Sequence, residues 1–284
     1  MDRFSRFNPK SCFLFFLLEI VLCLLLFNPF YLLISLLSSF LYSVKLEGKK
    51  AVKSFFTFIL PLIIFVGIFN MIFAHYGETV LFTIFSYDFT LEALFYGFNQ
   101  GMMFASVILW LNCYSIVLTS DKFLSVFSRL APNTSLVFSM VLSFLPRLRK
   151  NAQDINDARM NINDGRNKLQ KSIANFSALL TMTLEESIEV SDSMRARGFS
   201  KNRRAYSKYS FALRDGIVMA VSVILFIIVL YFKTSKKTLF IFEPVISAEN
   251  QSLFSIIIYG VMSFLPLIID FWEDMKWLYL KQKI

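Results

Sequence analysis

The sequence predicts an all-α integral membrane protein of about six transmembrane helices, with long amphipathic cytoplasmic helices inserted before the last two spans. Three observations carry this. Five charge-free runs cover residues 20–44, 54–77 (where only His75 can titrate), 93–120, 216–232 and 250–269, and a spanning helix needs about 20 mostly apolar residues. Of the 284 residues, 56% are hydrophobic and 34 are Phe, an excess that suits lipid-facing surface. Between these runs, residues 121–210 hold fifteen Lys/Arg and eight Asp/Glu, too long and too patterned for a simple loop.

The spans follow in order. Residues 11–27 are apolar apart from Glu19, and Asn28-Pro29 then breaks the helix, because Pro lacks a donor and disfavours helical geometry before it. Residues 30–44 resume the apolar pattern. The expected arrangement is a tight hairpin of two short helices; the alternative is one long kinked helix. No small-residue cleavage site follows the first run, so a cleaved leader is not expected. Further spans are expected near 54–74, 91–118, 213–232 and 251–271. With six spans, the basic N-terminus (Arg3, Arg6, Lys10), the link Lys45, Lys49, Lys50 and Lys53, the basic island and the tail (Lys276, Lys281, Lys283) all fall on one side. The positive-inside rule makes that side cytoplasmic, with Lys233, Lys236 and Lys237 as a mild exception.

Much chemistry is excluded. The formal charge of +9 faces anionic inner-leaflet lipid and does not point to nucleic acid. There is no GxxxxGK[ST] loop to cradle a nucleotide and no GxSxG nucleophile elbow. One histidine cannot assemble a zinc site with Cys12, Cys23 and Cys113, which lie unpaired in apolar spans as small buried hydrophobes. No metal, catalytic or cofactor site is expected. Glu19 is the one carboxylate well inside a span; it could mark a transport path, face a neighbouring helix or subunit, or snorkel. Glu92 and Asp270, at span ends, read as interfacial.

The polar island reads as helices. A short amphipathic piece covers 121–130, with Asp121 in its first turn suiting the helix dipole, and Ala131-Pro132-Asn133 punctuates. A long helix at about 134–159 carries Val137, Val141, Phe144 and Leu148 at helical spacing, with Pro146 expected to kink it. Asp164-Gly165 signals a turn. A third helix at about 169–196 carries the stripe Ile173, Phe176, Leu180, Leu184 and Ile188 opposite Glu185, Glu186, Glu189 and Asp192. Gly198 stands where a C′ glycine would close the helix, and Arg195 and Arg197 complement its dipole. The two long helices end alike, in Ala158-Arg159 and Ala196-Arg197. Either end alone is an ordinary solvated terminus. The pair suggests two cationic tips, each able to form bidentate, charge-assisted bonds in an acidic groove.

Here the sequence resembles a family. Ser193-Met194-Arg195-Ala196-Arg197-Gly198-Phe199 is similar to the second Ala-Arg-Gly motif of the transmembrane T component of energy-coupling factor (ECF) transporters, the cobalt and vitamin importer family. Ala158-Arg159-Met160 matches the first motif except that Met160 replaces glycine. Thr119-Ser120-Asp121-Lys122-Phe123-Leu124, Phe144-Leu145-Pro146, Asn8-Pro9-Lys10 and Asn28-Pro29 also resemble family positions. The likeness covers about residues 7–232.

The resemblance implies a division into transmembrane helices (1–120), a coupling-helix region (121–210) and C-terminal transmembrane helices with a tail (211–284). It implies a scaffold without enzymatic activity in a bacterial plasma membrane, both termini cytoplasmic. Its partners would be the lipid bilayer, two ABC-type ATPase subunits forming a homo- or heterodimer, and a substrate-binding membrane S component for a vitamin or metal ion. Arg159 and Arg197, with Ala158, Ala196, Gly198 and Arg195, would dock the ATPases. Val137, Val141, Phe144 and Leu148, with Ile173, Phe176, Leu180, Leu184 and Ile188, would meet the S component. The alternatives are a membrane-embedded enzyme acting on a lipid or isoprenoid substrate, for which Glu19, His75, Asp88 and Glu92 are too scattered, and a self-contained channel or carrier, for which no internal repeat is visible.

Overall fold

The computed structural model describes residues 4–74, 77, 79–84, 87–127, 131–160, 167–199, 209, 211–235, 240–241, 247–248 and 252–282. His75 and the turn expected at Asp164-Gly165 lie outside them. The described chain forms two compact units, Met1–Thr119 with Tyr209–Ile284, and Ser120–Lys208.

In the first unit both Asn-Pro pairs act as helix starts. α1 (Pro9–Leu25) is capped by Asn8, whose side chain accepts from the Lys10 N–H; α2 (Pro29–Glu47) is capped by Asn28, which accepts from Phe30. In each, Pro takes the first helical position, where its missing N–H is not needed. The two helices form the expected hairpin: Cys23 Sγ lies 2.9 Å from Ser35 Oγ near the turn, and the Phe16 and Tyr42 rings lie 6.5 Å apart farther along.

The third span is longer than expected. α3 (Lys49–Ser54), a π-helical turn (Phe55–Ile59) and α4 (Leu60–Phe73) run on as one segment. Pro61 explains the π-turn: it lacks an N–H, and the ladder widens before it, the Leu60 N–H reaching back to the Phe55 carbonyl. α5 (Leu91–Val117) and α9 (Leu213–Thr234) fall where expected. Two links contain short antiparallel ribbons: β1 (Val80–Ile84) pairs with β2 (Tyr87–Thr90), and β3 (Phe240–Ile241) with β4 (Ser247–Ala248). The last expected span is two helices, α10 (Leu253–Ser263) and α11 (Leu265–Gln282), bent by 58°. Pro266 disfavours helical geometry at Leu265 and places the break there.

By length and composition, four helical segments among the described residues can cross a membrane: 29–47, 49–73, 91–117 and 213–234. The bent pair α10–α11 would be a fifth. α1 is shorter, at 17 residues.

Because lipid is as apolar as leucine, helices in a bilayer associate through close packing and polar contacts. Both are present. Gly97 and Gly101 on α5 let α4 approach so closely that a Cβ on Gly97 would stand 2.9 Å from the Gly67 Cα, and one on Gly101 3.0 Å from the Ile63 Cα. Apolar packing joins α1, α2, α9 and α10 through Leu18, Leu22, Leu26, Tyr31, Val229, Tyr259 and Met262. A row of buried serines on α2 supplies the polar contacts. Ser35 accepts from the Trp110 indole at 2.9 Å, Ser38 donates to the Ser263 carbonyl at 2.6 Å, and Ser39 Oγ donates to Leu36 O at 3.0 Å within its own helix.

Glu19 belongs to this interior. It is fully buried and accepts from Ser263 Oγ at 2.5 Å, so it faces α10 and does not snorkel. Glu92 and Asp270, at span ends, are likewise buried. Glu92 receives the Thr79 N–H and hydroxyl at 3.3 and 2.6 Å.

One end of the bundle gathers five distant segments. Asp270 accepts the Phe4 N–H at 3.1 Å and pairs with Lys45 at 3.2 Å. Asp215 accepts the Asn8 N–H at 3.0 Å and the Ala212 N–H at 2.8 Å. Asn112 donates to Glu47 at 3.2 Å. The chain start, the basic link after α2, the end of α5, the start of α9 and α11 therefore share that end.

Candidate docking site on the inserted helices

The inserted unit contains α6 (Ser120–Phe127), α7 (Pro132–Met160) and α8 (Lys168–Ala196). α7 and α8 have 29 residues each, and α7 stays helical through Pro146. They pack with opposite chain directions: Asn151 donates to Glu186, and Asn175 donates to Asn156, each at 3.4 Å.

The side each helix turns to the other differs from its apolar stripe. On α8 the half-buried residues are Ala174, Asn175, Ala178, Leu179, Thr183 and Glu186, while the expected stripe Ile173, Phe176, Leu180, Leu184 and Ile188 stays 46–63% exposed. On α7, Phe144 and Leu148 are half-buried, together with Met140, Asn151, Ile155 and Arg159; Val137 and Val141 are exposed. On α8 mostly small and polar residues are half-buried and the large apolar stripe is left outside, whereas α7 half-buries Met140, Phe144, Leu148 and Ile155. Among described residues 120–199 none is buried. An exposed apolar patch on a helix of otherwise polar composition marks an interaction surface.

The two tips are built by helix-end chemistry. At the second, Arg197 is the C-cap and Gly198 takes φ +75°, a left-handed conformation that costs glycine little. The Gly198 N–H bonds the Arg195 carbonyl at 3.0 Å, and the Phe199 N–H bonds the Met194 carbonyl at 3.1 Å. This pair is the Schellman closure, and it answers the expectation for Gly198. It turns the chain sharply and leaves Arg195 and Arg197, on either side of Ala196, exposed at the end of α8. At the first tip, Ala158 and Arg159 lie in the last turn of α7, with Arg159 half-buried. The turn after Met160 lies outside the described residues. Among the described residues, Arg159, Arg195 and Arg197 make no ion pair, so their charges are available to a partner.

Sequence reasoning missed two features. Met194 and Phe199 join Met140, Val141, Phe144 and Val190 in lining a groove of about 620 Å³ between the helices. The spacing from Met194 to Phe199 across the closing glycine is the signal that could have found it, since a hydrophobic contact between C3 and C″ accompanies this closure. The other is Asp215, which staples α9 to the start of α1. Its place at the third position of α9 is the helix-start signal that could have drawn attention to it. Among the described residues no group of His, Cys, Asp and Glu could hold a metal ion, and all three cysteines are buried and form no disulfide.

No curated protein gives a significant match. The family profile CbiQ, cobalt transport protein, matches residues 3–207, which covers α1 through α8 and both arginine tips. That is a family of membrane transport components rather than enzymes, and this chain belongs to it: the CbiQ cobalt transport protein family, the family of ECF transporter T components.

Proposed function

We propose that this chain is the scaffold and coupling subunit of an ECF-type ABC importer, multi-pass in a bacterial plasma membrane with both termini cytoplasmic. Residues 121–210 form its cytoplasmic coupling region. The arginine tips, Arg159 and Arg197 with their neighbours Ala158, Ala196, Arg195 and Gly198, dock two ABC-type ATPase subunits. The exposed stripe Ile173, Phe176, Leu180, Leu184 and Ile188, with Val137, Val141, Phe144 and Leu148, meets the S component that selects the vitamin or metal ion. ATP-driven closure of the ATPases moves the tips relative to each other, and the helix pair carries that motion to the S component as a rigid-body displacement.

The observation that supports this most is the closed tip Arg195–Gly198. It presents cations without ion-pair partners at the end of a long helix whose large apolar side chains face outward. A charge reversal there places like charges together, and breaking a desolvated charge pair costs about 2–5 kcal/mol. Arg197→Glu is therefore expected to lose the ATPase subunits in a detergent pull-down while keeping the S component. Recovery of the ATPases at the wild-type level sinks the docking assignment.

A further inference from the structure

We infer that the groove between α7 and α8 is a receptor for an apolar side chain carried beside carboxylates on the ATPase subunit that docks at Arg197. This rests on the docking reading above and adds a second, apolar half to it. Its α8 wall is Val190, Met194 and Phe199, with Met140 opposite on α7, all outside the stripes assigned to the S component, and its volume of about 620 Å³ lies within the range of ligand sites.

The groove and the tip are one continuous surface. Arg195 belongs to both, and the glycine closure bonds Phe199 back to Met194, so both side chains line the groove while Arg197 caps the helix beside it. The charge at the rim selects the occupant. Arg147 and Arg195 both line the groove, and neither makes an ion pair among the described residues. One carboxylate lines it too: Glu186 accepts Asn151 through Oε1, while its Oε2 is buried without a hydrogen-bond partner, so two cations stand against one anion at the rim. An apolar knob flanked by acidic groups satisfies wall and rim together. Methionines in the wall suit a partner side chain that must seat without a rigid fit.

The test fills the groove from either helix. Val190 and Ser143 line it and are exposed, so Val190→Trp and Ser143→Trp each add bulk without disturbing a buried residue. In the purified complex, both variants are expected to weaken ATPase association roughly tenfold or more, as loss of a buried anchor does, and to retain the S component. If both bind the ATPases like wild type while Arg197→Glu does not, the groove is no part of the docking surface and the inference is wrong. Should Arg197→Glu also bind normally, the docking reading fails and takes this inference with it. If the Trp variants lose co-purifying phospholipid but not the ATPases, the occupant is lipid and the inference is overturned.

A second measurement needs no bulky substitution. Because Cys12, Cys23 and Cys113 are buried, a Ser187→Cys variant gives a single reactive thiol in the groove. Adding the ATPases is expected to slow its maleimide labelling about tenfold, and an unchanged rate contradicts the inference.

Discussion

The membrane bundle and the inserted helices stabilise themselves in opposite ways. In the bundle even a carboxyl group is enclosed: Glu19 is fully buried against Ser263, and Trp110, Tyr31 and Leu22 are buried with it. In the insert no described residue between 120 and 199 is buried, and the largest apolar side chains of α8 face outward. The bundle is a finished interior. The insert leaves the stripe of α8 uncovered within this chain.

The contrast can be broken by matched substitutions. Leu22→Ala, inside the bundle, is expected to destabilise by about 2–5 kcal/mol through lost contacts and a residual cavity, read as a fall in thermal unfolding temperature in detergent. Leu180→Asp, on the exposed stripe, is expected to leave that temperature unchanged. It should cut S-component retention by at least about tenfold, or about 1.4 kcal/mol, while ATPase retention persists; equal retention of both partners breaks the proposed division of surfaces. Gly198→Ala meets no atom within 4 Å of its new Cβ, so its only penalty is the left-handed backbone, about 1 kcal/mol. ATPase affinity should fall about fivefold, a graded loss beside that of Arg197→Glu. Leu184→Ala is the smallest change, within about 0.5 kcal/mol of wild-type stability for an exposed site. A fall as large as that of Leu22→Ala would show that α8 is already buried in the free chain.

The sequence made the bundle legible where the physics is local. Asn8-Pro9 and Asn28-Pro29 are helix starts that need only their own side chains, and the apolar runs set span positions to within a few residues. It was less legible where distant residues meet. Glu19 could have faced lipid, a subunit or a helix, and only the arrival of Ser263 from α10 settles which. The break before Leu265 was hidden because Pro266 sits in an otherwise continuous apolar run. The serine row on α2 bonds to α5 and α10, partners that its local pattern does not report.

In the insert, periodicity marked the apolar stripes correctly but not what they face. The half-buried side of α8 is made by Ala174, Ala178, Thr183 and their neighbours, which no periodicity of large apolar residues marks. Gly198 was the most readable part of the site, because helix closure demands a residue tolerant of positive φ and leaves a local signature. The groove beside it depends on α7 crossing α8, which no local pattern reports.

Hydrogen exchange on the chain alone, with the ATPases and with the S component tests the central claim most directly. Alone, α7 and α8 should exchange much faster than α1, α2 and α5. The ATPases should then protect residues 193–199, and the S component residues 173–188. Slow exchange throughout α8 in the isolated chain, or one and the same protected segment for both partners, would contradict the account.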